Sequence, residues 1–213
     1  AWFEAALPLH FKLTRPDMFL SPDGFLSLAT QVKSVGVIHD LNFEHFPQDI
    51  PFFMRKYYAL MFPKFARKAA QIATVSEYSK ADIVTTYNVD PSKIDVVYNG
   101  AGSIFTPISP ADQQQTRDKF SRGSQYFFFI GTLHPRKNLV NLFKAFNLFK
   151  KSDTQGIKLV LAGARMWWTD EIRLAYEGME YRDDVIFTGR VTDQQLASLM
   201  ASALALTYVS YFE

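Results

Sequence analysis

The chain has 213 residues, 48% of them hydrophobic, which is enough for one large core or two modest cores and argues against disorder. Its 23 basic and 21 acidic residues give a formal net charge of +2, so the composition does not suggest nucleic acid as a partner. The absence of cysteine excludes disulfides, thiolate metal sites and cysteine nucleophiles, and it is compatible with a reducing cytoplasm.

Every apolar run is interrupted by charged residues or proline before it reaches the ~18 to 20 residues that span a bilayer. We therefore expect a cytoplasmic protein, either soluble or peripheral at the inner face of a membrane. The sequence starts at Ala1 without a signal-peptide pattern and stops at Glu213, directly after a predicted strand. We expect it to be an excerpt from a longer protein.

Short apolar runs that are rich in β-branched or aromatic residues predict buried strands. They are residues 35–39, 71–75, 94–98, 126–130, 158–162, 185–188 and 204–208. Segments with helical periodicity lie between them, for example residues 138–151 and 192–202. This alternation predicts an α/β protein in which right-handed crossovers build mostly parallel, doubly wound sheets.

Three positions have the sequence of a helix start. Ser76 precedes a helical stretch, Asp90 stands directly before a proline, and Thr192 is followed by Gln195 at the spacing of a capping box. The side-chain oxygens of Ser, Asp and Thr accept hydrogen bonds from the free backbone N–H groups of a first helical turn. These caps agree with the predicted order of strands and helices.

Residues 51–70 combine five basic with six aromatic residues and contain no acidic residue. Such a mixture can dock on anionic lipid, which would make an anionic membrane a peripheral partner. The alternative is an ordinary amphipathic helix, interrupted near Pro63, whose aromatic side chains pack on the first sheet. The sequence leaves both interpretations open.

Residues 106–125 contain two prolines, three consecutive glutamines and Gly123, and they contain no strand-like run. We predict that residues 108–125 connect two sheets. Residues 1–107 then form the C-terminal portion of a first Rossmann-like domain, and residues 126–213 form the N-terminal portion of a second one.

Three predicted strands of the second half end in glycine, at Gly131, Gly163 and Gly189. Ligands of open α/β sheets bind beyond the carboxyl ends of the strands, where a glycine lets a backbone approach closely or turn sharply. Glycine also suits strand-to-helix turns that bind nothing, and this alternative stays open, above all for Gly163.

The turn after Gly131 contains two adjacent cations, Arg136 and Lys137, between a predicted strand and a predicted helix. The free backbone N–H groups and the dipole of a helix start favour an anion at this place. Arginine offers a planar fork and lysine a point charge, and both are used to bind phosphates. A solvated charged loop is the alternative, and the position at a strand end favours a phosphate site.

These residues, with others before and after them, resemble the family 4 retaining glycosyltransferases. The matching segments keep their order and spacing along nearly the whole chain, at residues 37–41, 73–79, 96–100, 131–139, 161–163, 185–191 and 210–213. The resemblance implies the two-lobed GT-B fold, with two Rossmann-like parallel-sheet domains that are both incomplete in this chain. The first domain is then on the acceptor side, and the second binds the donor.

The resemblance implies that a sugar moves, with retention of configuration, from a nucleotide-sugar donor to a glycan or lipid-linked acceptor in cell-envelope polysaccharide synthesis. Lys137 would contact the donor diphosphate and stabilise the charge on the leaving nucleotide. Many members have Arg directly after the strand-ending glycine, where this chain has Thr132, and Arg136 would supply that guanidinium instead. The Pro-Arg-Lys-Asn turn marks a subgroup from which we expect GDP-mannose as the donor.

His39 matches the family's His-Asp element, in which the histidine lies against the donor sugar. A lone histidine after a strand can instead be a structural hydrogen-bonding residue, and such a histidine would be silent in catalysis. Glu213 matches the first of two glutamates separated by seven residues, and in the family this glutamate approaches the donor sugar.

The resemblance implies that Gly189, Arg190 and Val191 form the loop that meets the nucleotide base. An ordinary surface residue is the alternative for Arg190. It also places Gly131, Thr132 and Asn99 at the donor. The match at Asn99 is incomplete, because Ala101 and Gly102 follow where the family usually has Val and Asp.

Other chemistries lack their sequence motifs. The chain has no Asp-x-Asp for a metal-bound diphosphate, no zinc-protease motif, no P-loop and no nucleophile elbow. We therefore expect a metal-independent reaction without a cofactor, with the nucleotide sugar as a substrate. Two alternatives remain: a non-catalytic nucleotide-sugar-binding or interaction module, and another GT-B enzyme such as a sugar-nucleotide epimerase.

Overall fold

A computed structural model describes residues 2–212 of the chain, apart from the side chain of Asp49. The chain folds into two compact units, Ala1–Gly100 and Ala101–Glu213. Each unit contains a four-stranded sheet in which all the pairings are parallel. This confirms the predicted α/β class.

The first unit has the strand order β1-β2-β3-β4. Its strands are β1 (Met18–Ser21), β2 (Lys33–Val37), β3 (Gln71–Thr74) and β4 (Ile94–Val96). Its α-helices are α1 (Leu7–Thr14), α2 (Asn42–His45), α3 (Phe52–Lys68) and α4 (Glu77–Tyr87). Shorter helical turns lie at Trp2–Ala6, Pro47–Asp49 and Pro91–Lys93. Because the strands are parallel, their carboxyl ends share one edge of the sheet.

The core of the first unit joins helices α3 and α4 to the sheet. Phe62 and Phe65 of α3 lie in one buried cluster with Ile72 of β3 and Ile83 of α4. Tyr87, at the end of α4, belongs to the same cluster and donates its hydroxyl to the Glu44 carboxylate at 2.9 Å. Burial, followed by the charge of Glu44, raises the pKa of this phenol.

The second unit has the strand order β7-β6-β5-β8. Its strands are β5 (Tyr126–Ile130), β6 (Lys158–Ala162), β7 (Val185–Gly189) and β8 (Ala205–Leu206). Its α-helices are α5 (Pro110–Ser121), α6 (Leu139–Lys150), α7 (Asp170–Glu177) and α8 (Asp193–Ser202). Single 3-10 turns precede α6, at Pro135–Lys137, and β7, at Arg182–Asp184.

Both faces of the second sheet are covered, which explains why its strands read as continuous apolar runs. Phe129 of β5 packs with Phe143 of α6 in one buried cluster, whereas Phe128 and Tyr126 pack with Leu199 of α8 in another. The hydroxyl of Tyr126 donates to the Leu199 carbonyl at 2.7 Å. Burial raises the pKa of Tyr126 to about 12.

A buried ion network closes the end of this unit opposite the carboxyl ends of the strands. The Lys150 ammonium lies 2.5 Å from the Asp153 carboxylate and 2.8 Å from that of Asp184, and it also donates to the Ile157 carbonyl. Lys158 is also paired with Asp184. The network therefore ties the end of α6 to the start of β6 and to the turn before β7.

All seven predicted strands are present, with shifts of a few residues at their ends, and the three predicted caps are confirmed. Strand β1 was not predicted. It has four residues, and its Met18 and Leu20 are exposed, so the sequence contains no buried apolar run at this place. Its pairing with β2 defines it as a strand.

Residues 108–125 contain a helix, α5, which lies within the second unit. Ser109 caps it, and Arg117 reaches the Ser202 carbonyl at the end of α8. Of its twelve residues, only Thr116 and Ser121 are buried, which explains why no apolar stripe marked it in the sequence. The structure divides earlier than the predicted connector, at Gly100.

Helix α3 continues through Pro63, contrary to the expected interruption. Proline lacks an N–H, so the helix loses one backbone hydrogen bond there and is kept by its packing. The predicted packing of the aromatic residues applies to one face only: Tyr58, Phe62 and Phe65 pack inward, whereas Phe52, Phe53 and Tyr57 are exposed. Within residues 2–212, none of the helices is long and apolar enough to cross a membrane.

Candidate functional site

The order of strands in the second sheet identifies its ligand-binding edge. From β5 the chain moves outward through β6 and β7, then returns to place β8 on the other side of β5. Parallel sheets bind ligands where the order reverses in this way, beyond the carboxyl ends of the two strands that flank the reversal. Here these are β5, followed by Gly131, and β8, followed by residues 207–212. We call residues 207–212 the strap.

The three glycine turns contact one another at this edge. The N–H of Gly131 donates to the Ala162 carbonyl, and that of Gly163 donates to the Gly189 carbonyl, at 3.0 and 2.8 Å. A Cβ on Gly163 would lie 1.9 Å from the carbonyl oxygen of Gly131, so only glycine fits there. Close backbone approach, which the sequence left open for Gly163, is thus the reason for this glycine. Gly189 has a φ of +70°, which other residues rarely adopt.

A cavity of about 220 Å³ opens beside these turns. Its walls come from the ends of β5, β6 and β7 and from α8, and they include Thr132, Arg190, Val191 and Leu196. The walls are mostly apolar side chains and backbone, with Arg190 as the charged member. Four of the predicted donor residues, Gly131, Thr132, Arg190 and Val191, therefore lie around one cavity.

The cationic turn has a defined geometry next to this cavity. Residues Pro135–Lys137 form a 3-10 turn, and the ring nitrogen Nδ1 of His134 accepts a hydrogen bond from the N–H of Arg136. Asn138 then adopts the left-handed conformation, with φ 58° and ψ 36°, and α6 begins at Leu139. The turn and the start of α6 thus meet at a residue with an unusual backbone conformation.

Lys137 is half-buried and lies over the glycine turn. Its Cε would be 3.6 Å from a Cβ on Gly131, so a side chain at 131 would touch it. Its ammonium lies 5.7 Å from the centre of the Tyr208 ring, which favours a cation on its face. The cation is therefore at the reversal between β5 and β8, where an anion-binding group is expected.

Arg136 points to the strap. Its guanidinium donates to the Phe212 carbonyl at 2.5 Å, and its own carbonyl accepts from the N–H of Tyr211. Part of the hydrogen-bonding capacity of the guanidinium is therefore satisfied within the protein. Arg136 is adjacent to Lys137 in sequence, and in this conformation it binds the strap.

Asn138 also binds the strap. Its side-chain amide nitrogen donates to the Val209 carbonyl at 2.9 Å. Its side-chain oxygen Oδ1 accepts from the side-chain amide of Asn141, which also donates to the Tyr211 hydroxyl. The hydroxyl of Ser210 in the strap is buried without a hydrogen-bond partner among the described residues. Buried polar groups without a partner are uncommon in folded proteins.

His39 lies in the first unit, two residues after β2. It is exposed, and its Nε2 donates to the Pro22 carbonyl, which follows β1, at 3.2 Å. Because a carbonyl can only accept, this contact places a proton on Nε2. The imidazole is thus held at the carboxyl edge of the first sheet, as its place in the sequence predicted.

The residues after His39 are held in place by α2. Asp40 accepts a hydrogen bond from the N–H of Asn42 at 2.8 Å, and Glu44 and His45 bind Tyr87 and Asp82 of α4. The loop therefore has a fixed connection to the core of the first unit.

Two further predicted residues have a different status. Asn99 follows β4 and is exposed. Glu213 lies outside the described residues.

A larger cavity of about 690 Å³ lies at the opposite, amino-terminal edge of the first sheet, next to Lys12, Arg15 and Lys33. Parallel sheets do not bind their ligands at that edge, so we do not assign it.

Two family models match consecutive parts of the chain. The model described as Glycosyltransferase Family 4 matches residues 1–101, and the model described as Glycosyl transferases group 1 matches residues 112–213. Together they account for nearly the whole sequence. The chain belongs to the family 4 glycosyltransferases.

Curated relatives of this family 4 glycosyltransferase include two bacterial proteins. The O-antigen chain mannosyltransferase B of Escherichia coli is 28% identical over 182 residues, which are 85% of this chain and 48% of that protein. The O-antigen chain mannosyltransferase RfbU of Salmonella typhimurium is 27% identical over 176 residues, 83% of this chain and 45% of that protein. The chain spans about half the length of these relatives.

Solved structures confirm the GT-B fold class for the glycosyltransferase. Anabaena Alr3699/HepE in complex with UDP-glucose has a TM-score of 0.75 and 18% identity, and the match covers 97% of this chain and 56% of that one. WaaG, a glycosyltransferase involved in lipopolysaccharide biosynthesis, has a TM-score of 0.69 and 17% identity, with 96% of this chain and 56% of that chain covered.

The sequence did not identify the residues that bind the strap. Tyr208, Val209 and Tyr211 of the strap contact the cationic turn and Asn138 across about 70 positions of sequence. The sequence did contain one signal, Asn138 itself, because asparagine is the commonest residue after glycine in the left-handed conformation. The long-range contacts themselves leave no pattern in the sequence.

Proposed function

We propose that this family 4 glycosyltransferase moves a sugar from a nucleotide-sugar donor, with retention of configuration, to a glycan or lipid-linked acceptor. The observation that supports it most is the half-buried Lys137 at the strand-order reversal, next to a cavity between glycine turns. We propose mannose as the sugar and GDP-mannose as the donor, since both named curated relatives are called O-antigen chain mannosyltransferases. The setting would be cell-envelope polysaccharide synthesis.

In this proposal Lys137 binds the donor diphosphate. Its positive charge stabilises the negative charge that grows on the β-phosphate as the sugar–oxygen bond breaks, and this is electrostatic catalysis by a preorganised group. The backbone N–H groups at the start of α6 add to the same potential. Thr132 and Gly131 then lie beside the phosphates, and Arg136 acts mainly by holding the strap.

The cavity beside the glycine turns would take the nucleotide base. Its apolar walls and exposed backbone groups suit a flat heterocycle, with Arg190 and Val191, which follow Gly189, at one side. Base selection would then depend on backbone groups and on Arg190.

His39 would act on the donor sugar from the first unit. Because Nε2 is held by Pro22, Nδ1 is the ring atom left for a sugar hydroxyl or the reacting centre. Asn99 and Glu213 would contribute to the donor side, as the family resemblance implies. We propose that the reaction needs no metal and no cofactor, so that a chelator should leave its rate unchanged.

Two other functions make different demands on these residues. A non-catalytic nucleotide-sugar-binding module needs the cationic turn but not His39. A sugar-nucleotide epimerase would convert the donor without transferring it to an acceptor. The location of a histidine at the edge of the first sheet favours transfer over binding alone.

Donor titration of the full-length protein tests the proposal. Calorimetry with GDP, UDP and ADP should show GDP binding tightest, and radiolabel from GDP-mannose should move to a lipid-extracted glycan fraction but not from UDP-glucose. A matched reaction with a chelator should give the same rate. Failure to bind any nucleoside diphosphate would refute the donor site, and conversion of the donor without transfer would favour the epimerase.

A further inference from the structure

The turn after β6 contains an arginine whose guanidinium is stacked on two aromatic rings. The Cζ atom of Arg165 lies 3.9 Å from the centre of the Phe187 ring and 5.0 Å from the centre of the Trp168 ring. The centres of these two rings are 5.6 Å apart, and both rings are half-buried against the cluster that joins α6 and α7 to the sheet. Stacking of this kind fixes the plane of a guanidinium, so that less conformational freedom is lost when the group binds a ligand.

The stacked rings contact the flat face of the Arg165 guanidinium and leave its N–H groups for other partners. Among the described residues, these N–H groups donate no hydrogen bond and take part in no ion pair. Two acidic residues of the following helix α7, Asp170 and Glu177, pair with Arg173 instead. A guanidinium that is held in place without an acceptor in the protein is suited to bind an anion from outside.

Arg165 lies beside the cationic turn, at the carboxyl edge of the second sheet. The carbonyl of its neighbour Ala164 accepts a hydrogen bond from the N–H of Leu133 at 3.0 Å. The ring of Trp167 contacts that of His134, with 5.6 Å between the ring centres. The turn after β6 therefore contacts the residues that lead into the cationic turn, through positions on either side of Arg165.

The charge of this edge favours an anion. The segments that follow β5, β6 and β7, at residues 131–138, 163–169 and 190–192, contain four cations and no acidic residue. Ala164 lines the cavity that we assign to the nucleotide base, but Arg165 does not line it. A phosphate group matches the guanidinium fork and carries more negative charge than a carboxylate.

We propose that Arg165 is a second phosphate-binding residue at this edge, in addition to Lys137. Its guanidinium donates two parallel N–H bonds to one phosphate group, while the rings of Phe187 and Trp168 keep its plane in position. Two sources can supply this group: the diphosphate of the donor nucleotide, or a phosphate of a lipid-linked acceptor. Naming these sources rests on the proposed function, whereas the phosphate site itself does not.

Calorimetric titration of the full-length protein with inorganic diphosphate tests the proposal. Arg165→Gln should weaken diphosphate binding roughly tenfold, because it removes a charged pair of donors. Arg165→Lys should recover part of the affinity, because it keeps the charge but loses the planar fork. Arg173→Gln is the matched control and should bind like wild type, because this arginine is already paired with Asp170 and Glu177.

The same titration at saturating GDP distinguishes the two sources. If Arg165 binds the diphosphate of the nucleotide, GDP should block inorganic diphosphate, and Arg165→Gln should also weaken GDP binding roughly tenfold. If Arg165 binds a phosphate of the acceptor, inorganic diphosphate should still bind the GDP-saturated wild type. Arg165→Gln should then weaken that binding while the affinity for GDP stays unchanged.

Two results would overturn the proposal. One is wild-type affinity of Arg165→Gln for both inorganic diphosphate and GDP, since Arg165 would then be an ordinary surface residue. The other is an equal loss of affinity in Arg173→Gln, since net charge rather than a site would then be responsible. Circular dichroism should be the same for all variants. Failure of the wild type to bind GDP would refute the proposed donor site, but diphosphate binding that depends on Arg165 would still support the phosphate site.

Discussion

Three consecutive residues of the cationic turn have different tasks. Lys137 presents its ammonium over the Tyr208 ring, while Arg136 and Asn138, on either side of it, bind the backbone of the strap. The left-handed conformation of Asn138 ends the 3-10 turn and begins α6. The sequence predicted a cationic turn after a strand. The different contacts of these three residues arise only in the folded chain.

Lys137→Ala should reduce nucleoside-diphosphate affinity. A hydrogen bond to a charged group contributes about 1.5 to 3 kcal/mol, so we expect a loss of roughly ten- to a hundredfold. Calorimetric titration of the full-length protein with GDP measures it, and Lys144→Ala on the exposed side of α6 is the control. Unchanged affinity for Lys137→Ala would remove the turn as the phosphate site.

Asn138 separates backbone conformation from side-chain contact. Asn138→Gly keeps the left-handed conformation and loses the bond to Val209, whereas Asn138→Ala loses the bond and adds a steric cost of about 1 kcal/mol. We expect urea unfolding to rank wild type as the most stable, then Gly, then Ala. If Gly were no more stable than Ala, the conformation would not matter there.

At the scale of elements, the sequence predicted β5 and β6 at their observed bounds, because their apolar runs are buried on both faces of the second sheet. It missed β1 and α5, for opposite reasons. β1 has an exposed Met18 and Leu20 and becomes a strand only by pairing, and α5 is so polar that no apolar stripe shows its period. Polar spacing alone does not reveal a helix whose packing uses Thr116, Ser121 and Arg117.

The ion network at the end of α6 makes stability depend on pH. Burial would raise the pKa of the Asp153 carboxyl, but the hydrogen bonds from Lys150 and from two backbone N–H groups outweigh it, so its pKa lies below the ordinary value. The pKa of Asp184 is lowered in the same way, with burial outweighed by Lys150 and Lys158. A lowered folded pKa adds stability above the unfolded value of about 3.9, and this is lost as the pH falls through the folded pKa.

Asp153→Asn should therefore destabilise the protein by about 3 kcal/mol near neutral pH, because it removes one partner from the buried Lys150. The difference from wild type should shrink as the pH falls below the unfolded value of about 3.9 and through the lower folded pKa, where folded wild type also loses this carboxylate. Urea unfolding at several pH values measures both curves. A difference that stayed constant down to low pH would mean that packing, rather than charge, is lost.

At the scale of the whole molecule, the residues with proposed donor roles are found in both units. The cationic turn and its cavity belong to Ala101–Glu213, and His39 belongs to Ala1–Gly100. The sequence predicted which edge of each sheet these residues occupy, since strand-ending glycines and the histidine follow apolar runs. It did not predict the strap, because the strap meets the turn through long-range hydrogen bonds.

His39→Ala measures most directly whether the protein is a transferase rather than a binding module. An interaction that strengthens in the transition state lowers turnover without an equal loss of binding. We predict that transfer from GDP-mannose by the full-length protein falls on the order of a hundredfold, while GDP affinity on the same preparation changes little. Transfer that survives the substitution, or binding and transfer that fall together with loss of folding, would show that His39 is structural and would contradict the account.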